Sequence, residues 1–279
     1  MNMTRALKLT RKYILTLVMI ALSILAVTPF LWMLSASLKA TAHVFDFPIQ
    51  WIPKQPIFTN YVEVWFAQVP FYRYFLNSVQ VSALSVAGDV FTSALAGYAF
   101  AKIDFKGRNL AFLLYIATLM FPSQMLLIPR FVLYRLIGLY NTLWALILPG
   151  AFTAFGTFLL RQFFMTIPDE LVQAAKIDGS SYFRTFTRIM LPLSKPALST
   201  LTIFSFVATW NDYAGPLVFL HSKNLYTIPL GLLQFQDDQQ TNYGAIMAAS
   251  ACSLIPIFVI FLVLQKHFIE GIAMSGIKG

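Results

Sequence analysis

Residues 168–192 read PDELVQAAKIDGSSYFRTFTRIMLP, a polar, helix-forming island in a chain that otherwise reads as membrane. Pro168 suits the first turn of a helix, where its missing N–H is not needed. Asp169 and Glu170 follow where the helix dipole favours negative charge. Leu171, Ala174, Ala175 and Asp178 recur at helical spacing and predict a narrow face of small residues. Gly179 falls where a left-handed cap is wanted, and Ser180 or Ser181 can cap a second helix. Phe183, Phe186, Thr187 and Met190 give that second helix a largely apolar stripe, with Tyr182, Arg184 and Arg188 beside it; Leu191-Pro192 predicts its stop. Two readings fit this pattern: an amphipathic connector lying on a membrane surface, or a rigid docking element.

The rest of the chain sets the surroundings of the island. Of 279 residues, 58% are hydrophobic and only 11% are charged, with 27 Phe and a mean hydropathy of +0.70. A soluble domain carries roughly a quarter charged residues, so most of this chain meets lipid. Spans of ~20 residues are required to cross a bilayer. Six fit: Tyr13–Leu34, Phe75–Ala101, Leu110–Ile128, Leu143–Leu160, Ala197–Leu217 and Ala245–Leu264. Each must be helical, because backbone groups in lipid have to be satisfied within their own segment. The expected fold is therefore all-α, a polytopic membrane helix bundle of six transmembrane helices. Residues 1–70 supply the first helix and an outer loop, and residues 71–279 a five-helix core that includes the island.

The N-terminal apolar run follows Arg5, Lys8, Arg11 and Lys12. It is longer than the ~7–15 residues of a signal core and is read as an uncleaved span. With six spans, 14 of the 20 Lys and Arg residues share one side with both termini and the island. The positive-inside rule makes that side cytoplasmic. The net charge of +9 then marks loops in contact with membrane, and no nucleic-acid partner is expected. Cys252 is the single cysteine, which excludes an internal disulfide and any multi-cysteine metal site. His43, His221 and His267 are far apart, and no metal site is expected.

Two polar features lie within the spans. Asp89 sits in the middle of the second, where an ionised residue costs a few kcal/mol or more. It is either a pathway residue or a buried carboxyl held by neighbouring Ser or Thr. Trp210, Asn211 and Asp212 come late in the fifth. They suit sugar, since Asn and Asp bond hydroxyls and a Trp face stacks on pyranose rings; a helix-end cluster packing on a partner subunit fits equally. The chain holds no G-x-x-x-x-G-K-[ST] phosphate loop, no H-E-x-x-H and no G-x-S-x-G. It is not expected to be an enzyme, and energy from ATP would have to come from another chain. A secondary transporter driven by ions or protons is the alternative. Such proteins show internal repeats and intramembrane charges, and here only Asp89 and Asp212 are candidates, with no repeat visible.

Gln173-Ala174-Ala175, Gly179 and Ile189-x-Leu191-Pro192 resemble the cytoplasmic signature of ATP-binding-cassette importer permeases, EAA-x3-G-x9-I-x-L-P. Gln173 departs from the usual Glu, keeping its length and losing its charge. Asn77-Ser78, Pro122, Trp210-Asn211-Asp212 and the tail Gln265-x-x-Phe268-x-x-Gly271 through Ile277-Lys278-Gly279 are similar to the carbohydrate-uptake branch, the MalG-type permease subunits. The resemblance implies that the island is a coupling helix seated in a cytoplasmic ATPase dimer, with Glu170, Gln173, Ala174, Ala175, Asp178, Gly179, Tyr182 and Arg184 at the coupling surface. It also implies a second homologous permease, an external solute-binding protein, a small sugar as cargo, and a bacterial or archaeal inner membrane. No cofactor belongs to this chain; ATP and magnesium would sit on the partner ATPase.

Overall fold

A computed structural model describes residues 3–66, 71–236 and 241–276, with side chains between residues 11 and 266 of those ranges. Among the described residues the secondary structure is helical, with one isolated bridge between Gln236 and Thr241. By length and composition four helices can cross a membrane, and two bent helix pairs raise the number to as many as six.

The chain divides into two compact units. One comprises residues 1–69 and 234–252. It contains α1 (Met3–Ser37), α2 (Thr59–Phe66) and the start of α14 (Tyr243–Gly276). None of the most apolar stretch of α1 is buried, as expected of a helix that is hydrophobic all round and faces lipid. The loop after it is tied down by its own polar groups. Asn60 Nδ2 donates to the carbonyls of Ser37 (2.8 Å) and Lys39 (2.9 Å), which the end of α1 leaves open. Thr41 Oγ1 donates to Asn242 Oδ1 at 2.7 Å.

The other unit comprises residues 70–233 and 253–279 and is built on α3 (Phe71–Lys102). Ser78, Ser82, Ser85, Asp89, Ser93 and Gly97 recur at three- to four-residue spacing on its buried face. Lipid offers no hydrophobic drive for two helices to associate, so close approach through small residues takes that role. The partner is the fourth span, α6 (Trp144–Gly150) and α7 (Ala154–Thr166). The turn between them frees backbone carbonyls, and α3 satisfies one: Thr92 Oγ1 donates to Ala151 O at 2.7 Å. Irregular backbone at membrane depth needs partners of this kind.

Several expected boundaries move. The second span begins at Phe71, and the fourth extends to Thr166. The third is not one straight helix over Leu110–Ile128. The segments Arg108–Met120 and Ser123–Leu136 meet at 90°, because Pro122 has no N–H and holds Phe121 extended (φ −85°, ψ 115°). They contain α4 (Arg108–Ala117) and α5 (Leu127–Leu136). The fifth span is interrupted at Asn211–Tyr213, between α11 (Lys195–Trp210) and α12 (Ala214–Phe219). Pro192 does not end the island. A π-turn at Phe186–Met190 runs into α10 (Leu191–Leu193), and Pro192 lies within this continuing helix. The chain bends by 78° only after Leu193. The side chains of His267, Phe268 and Glu270, and all of Ile277–Gly279, lie outside the described residues.

Candidate functional site

The island is two helices, α8 (Asp169–Ile177) and α9 (Tyr182–Thr185), the second continuing through the π-turn. Pro168 stands one residue ahead of α8, and Asp169 and Glu170 fill its first turn. Gly179 has φ +75°. Around it Ser180 N donates to Ala175 O (2.8 Å) and Gly179 N to Lys176 O (3.0 Å), the paired bonds of a Schellman stop. Ser181 then caps α9, its hydroxyl accepting from Arg184 N at 3.3 Å. Lys176 Nζ lies 4.8 Å from the centre of the Tyr182 ring, a contact that folds the two helices against each other.

The small-residue face divides in two. Ala175, 6% exposed, and Val172 point into the unit. Glu170, Leu171, Gln173, Ala174 and Asp178 are on the open side. So are Ile177 (86% exposed), Tyr182 and Phe183. The expected face thus lies at the boundary of the buried side, with Ala175 against the core and Leu171, Ala174 and Asp178 exposed. The result is an apolar patch ringed by polar groups, on a segment that surrounding structure holds rigid.

Helices outside the island, α3 and α7, do the holding. Tyr98 of α3, Leu160 and Phe164 of α7, Val172 of α8, and Phe186 and Met190 of the π-turn form one buried cluster. The Tyr98 ring lies 5.2 Å from Phe186 and meets Phe164 edge-on at 6.1 Å. One turn on, Lys102 Nζ donates to Ile167 O at 2.6 Å and also bonds Asp169 Oδ1. Arg161 Nε donates to Phe100 O at 3.2 Å, its guanidinium 4.0 Å from the centre of the Phe112 ring. Lys102 and Tyr98 play no part in the coupling set expected from the sequence. Only the family of contacts around residues 167–169 picks them out.

The polar residues of the spans meet around a cavity of about 540 Å³, lined among others by Asp89, Arg130, Thr153, Thr209 and Asp212. Asp89 is 1% exposed. Its Oδ1 accepts from Ser93 Oγ (2.9 Å) and Thr153 Oγ1 (2.7 Å). Gly156 makes room for this cluster, since a Cβ there would collide with Ser93 Oγ and lie 2.8 Å from Asp89 Oδ1. Asp212 bridges the interruption of the fifth span, its Oδ1 accepting from Gly215 N at 3.1 Å. Asn211 is exposed and donates from Nδ2 back to Val207 O at 2.9 Å. Trp210 is 2% exposed. Its ring is stacked on Phe206 and edge-on to Phe75, and its Nε1 donates to Ser253 O. In this conformation it offers no free face to a sugar ring. Arg130, counted from the sequence as a loop charge, reaches the cavity because the break at Pro122 carries α5 there. Among the described residues no group of His, Cys, Asp and Glu could hold a metal ion.

Residues 90–273 match the family model described as "Binding-protein-dependent transport system inner membrane component". The chain is 39% identical over 257 residues to the probable ABC transporter permease protein YurM of Bacillus subtilis, covering 90% of this chain and 83% of YurM. It is 34% identical to the arabinooligosaccharides transport system permease protein AraQ of Halalkalibacterium halodurans, covering 96% of each. Its fold matches a chain of a bacterial ABC transporter that imports the acidic polysaccharide alginate. The TM-score is 0.80 at 22% identity, over 95% of this chain and 97% of that one.

Proposed function

The chain belongs to the family of binding-protein-dependent transport inner membrane components, and on that premise we propose how its island and cavity divide the work of import. It is a permease subunit of an ATP-binding-cassette importer of the carbohydrate-uptake type, a multi-pass inner-membrane protein and a transport chain rather than an enzyme. The comparisons give no support to a secondary transporter. Subunits of this family work with an ATPase, a solute-binding protein and a second permease.

The finer reading is ours. The island end of the unit is cytoplasmic, as are both termini, and an ATPase dimer carrying ATP and magnesium grips the open side of α8. Glu170, Gln173, Ala174, Asp178, Tyr182 and Arg184 meet the ATPase, while Ala175 and Gly179 keep the helix seated and sharply ended. The single observation that carries this is the apolar patch of Leu171 and Ile177 on α8 and Tyr182 and Phe183 on α9, exposed while Val172 and Ala175 of α8 are buried. An amphipathic connector lying on lipid would need no such fastening to the core. Closure of the ATPase pushes α8, and the push passes through the buried cluster to α3 and the fourth span. The cavity bearing Asp89, Arg130 and Asp212 is this subunit's share of the pathway for a sugar or oligosaccharide, with Asn211 next in sequence to Asp212. Given the relatives, an arabinooligosaccharide is the first cargo to try.

Reconstitution tests this. The chain co-purified with its membrane partners and placed in proteoliposomes should accumulate labelled arabinooligosaccharide or a related oligosaccharide only with ATP inside and the binding protein outside. Uptake by the chain alone, driven by a proton or sodium gradient, would overturn it.

A further inference from the structure

We propose that Lys102 is a positioning residue for coupling, the tie through which displacement of α8 is handed to α3. This rests on the reading of α8 as the ATPase-driven element. Lys102 is the last residue of the 32-residue helix α3. Its side chain is 3% exposed, while that of Asp169 is 71% exposed. A lysine at a helix end ordinarily extends its ammonium into water. Here the ammonium is folded in and held by two acceptors just past the end of the fourth span. One is the backbone carbonyl of Ile167, at 2.6 Å. The other is the carboxylate of Asp169, in the first turn of α8. Both bonds are charge-assisted, the stronger kind.

The location gives the tie its consequence. Ile167 is extended (φ −77°, ψ 128°) between the end of α7 and the start of α8. It is the point where the two helices could flex independently. Lys102 bridges that point from a third helix. A push on α8 therefore moves the end of α3 with it and is not absorbed at Ile167. Tyr98, one turn earlier on α3, packs on Phe186, so the second island helix is fastened to the same stretch of α3. The far part of α3 carries Val81 and Asp89 to the cavity, and one rigid helix thus joins the driven element to the pathway.

The test uses the purified complex in proteoliposomes, with Cys252→Ala and Ala208→Cys placing a single thiol on the cavity lining. The probe is a membrane-impermeant maleimide, its labelling rate compared without nucleotide and with ATP plus vanadate. With Lys102 present the rate should differ at least about fivefold between the two states. In Lys102→Met that difference should disappear while ATP hydrolysis stays within about twofold, and Lys102→Arg should restore it. A residue that only stabilised the fold would lower hydrolysis and labelling response together. An intact response in Lys102→Met overturns the proposal. So does a complex that fails to assemble with either Lys102→Met or Asp169→Asn, which would make the contact a folding requirement. Gly179→Pro separates the two levels. If it also leaves the response intact, the reading of α8 as the driven element fails; if it abolishes the response while Lys102→Met does not, only the tie fails.

Discussion

Ala174 and Ala175 are neighbours on α8 and differ in burial, Ala175 packed against the unit and Ala174 open to solvent. Large substitutions at the two alanines should therefore have different effects. Ala174→Leu leaves the core untouched. It should leave the thermal stability of the purified chain within ~0.5 kcal/mol of the parent, as surface changes do, while uncoupling ATP hydrolysis from uptake. Ala175→Leu forces three more carbons into a packed site and should destabilise by about 1–3 kcal/mol, read as a lowered melting temperature. Equal effects of the two changes on stability would contradict the assignment of faces.

Gly179 has open space around it, with no atom within 4 Å of where a Cβ would stand, so its constraint lies wholly in its backbone at φ +75°. Gly179→Ala should cost about 1–2 kcal/mol, the penalty of the left-handed region for an L residue. Gly179→Asn should cost less, because Asn tolerates that region. Protection of the 170–185 amides in hydrogen exchange is the measurement, and it should fall in the order Gly, Asn, Ala.

Phe186 fastens the second island helix to Tyr98 inside the buried cluster. Phe186→Ala should destabilise by about 3–5 kcal/mol, the usual cost of removing a buried aromatic side chain. Phe183, two-thirds exposed beside it, should give less than ~1 kcal/mol on the same change. Parallel melting curves of the two variants decide this.

Asp212 combines a structural bond to Gly215 N with a place on the cavity wall. Asp212→Asn keeps an acceptor for that bond and should preserve assembly while weakening uptake affinity severalfold. Asp212→Ala loses that hydrogen bond as well, at about 1 kcal/mol, and should lower both. Arg130→Gln should also change affinity without changing assembly. Unchanged uptake kinetics in Asp212→Asn and Arg130→Gln would assign the cavity no part in the pathway.

The hydropathy of the chain made the spans readable, because lipid demands long apolar helices and little else satisfies the backbone there. The caps of the island were equally legible, since Gly179 and Ser181 each answer a local need of the adjacent helix end. What escaped was anything decided by distant partners. The ammonium of Lys102 meets groups 65 and 67 residues away, and from the sequence it is only one charge in a tally. The break at Pro122 was visible as a proline, but not as the 90° turn that brings Arg130 to the cavity. Asp89 is held by Ser93, one turn along its own helix, and by Thr153, 64 residues away. It is a buried carboxyl bonded to Ser and Thr, and it borders the cavity. Trp210 went the other way, its ring consumed by packing among Phe75, Phe206 and Ser253.

The central claim is that an ATPase seats on the open face of α8. Cross-linking measures this most directly. In a Cys252→Ala background, Ala174→Cys should cross-link to the ATPase subunit in inside-out vesicles with a short bifunctional thiol reagent, and Ala175→Cys should not. Cross-linking of Ala174→Cys should also change in extent when ATP and vanadate are added. Labelling of Ala174→Cys from the outer face of intact cells, or no cross-link to any ATPase, would contradict the account.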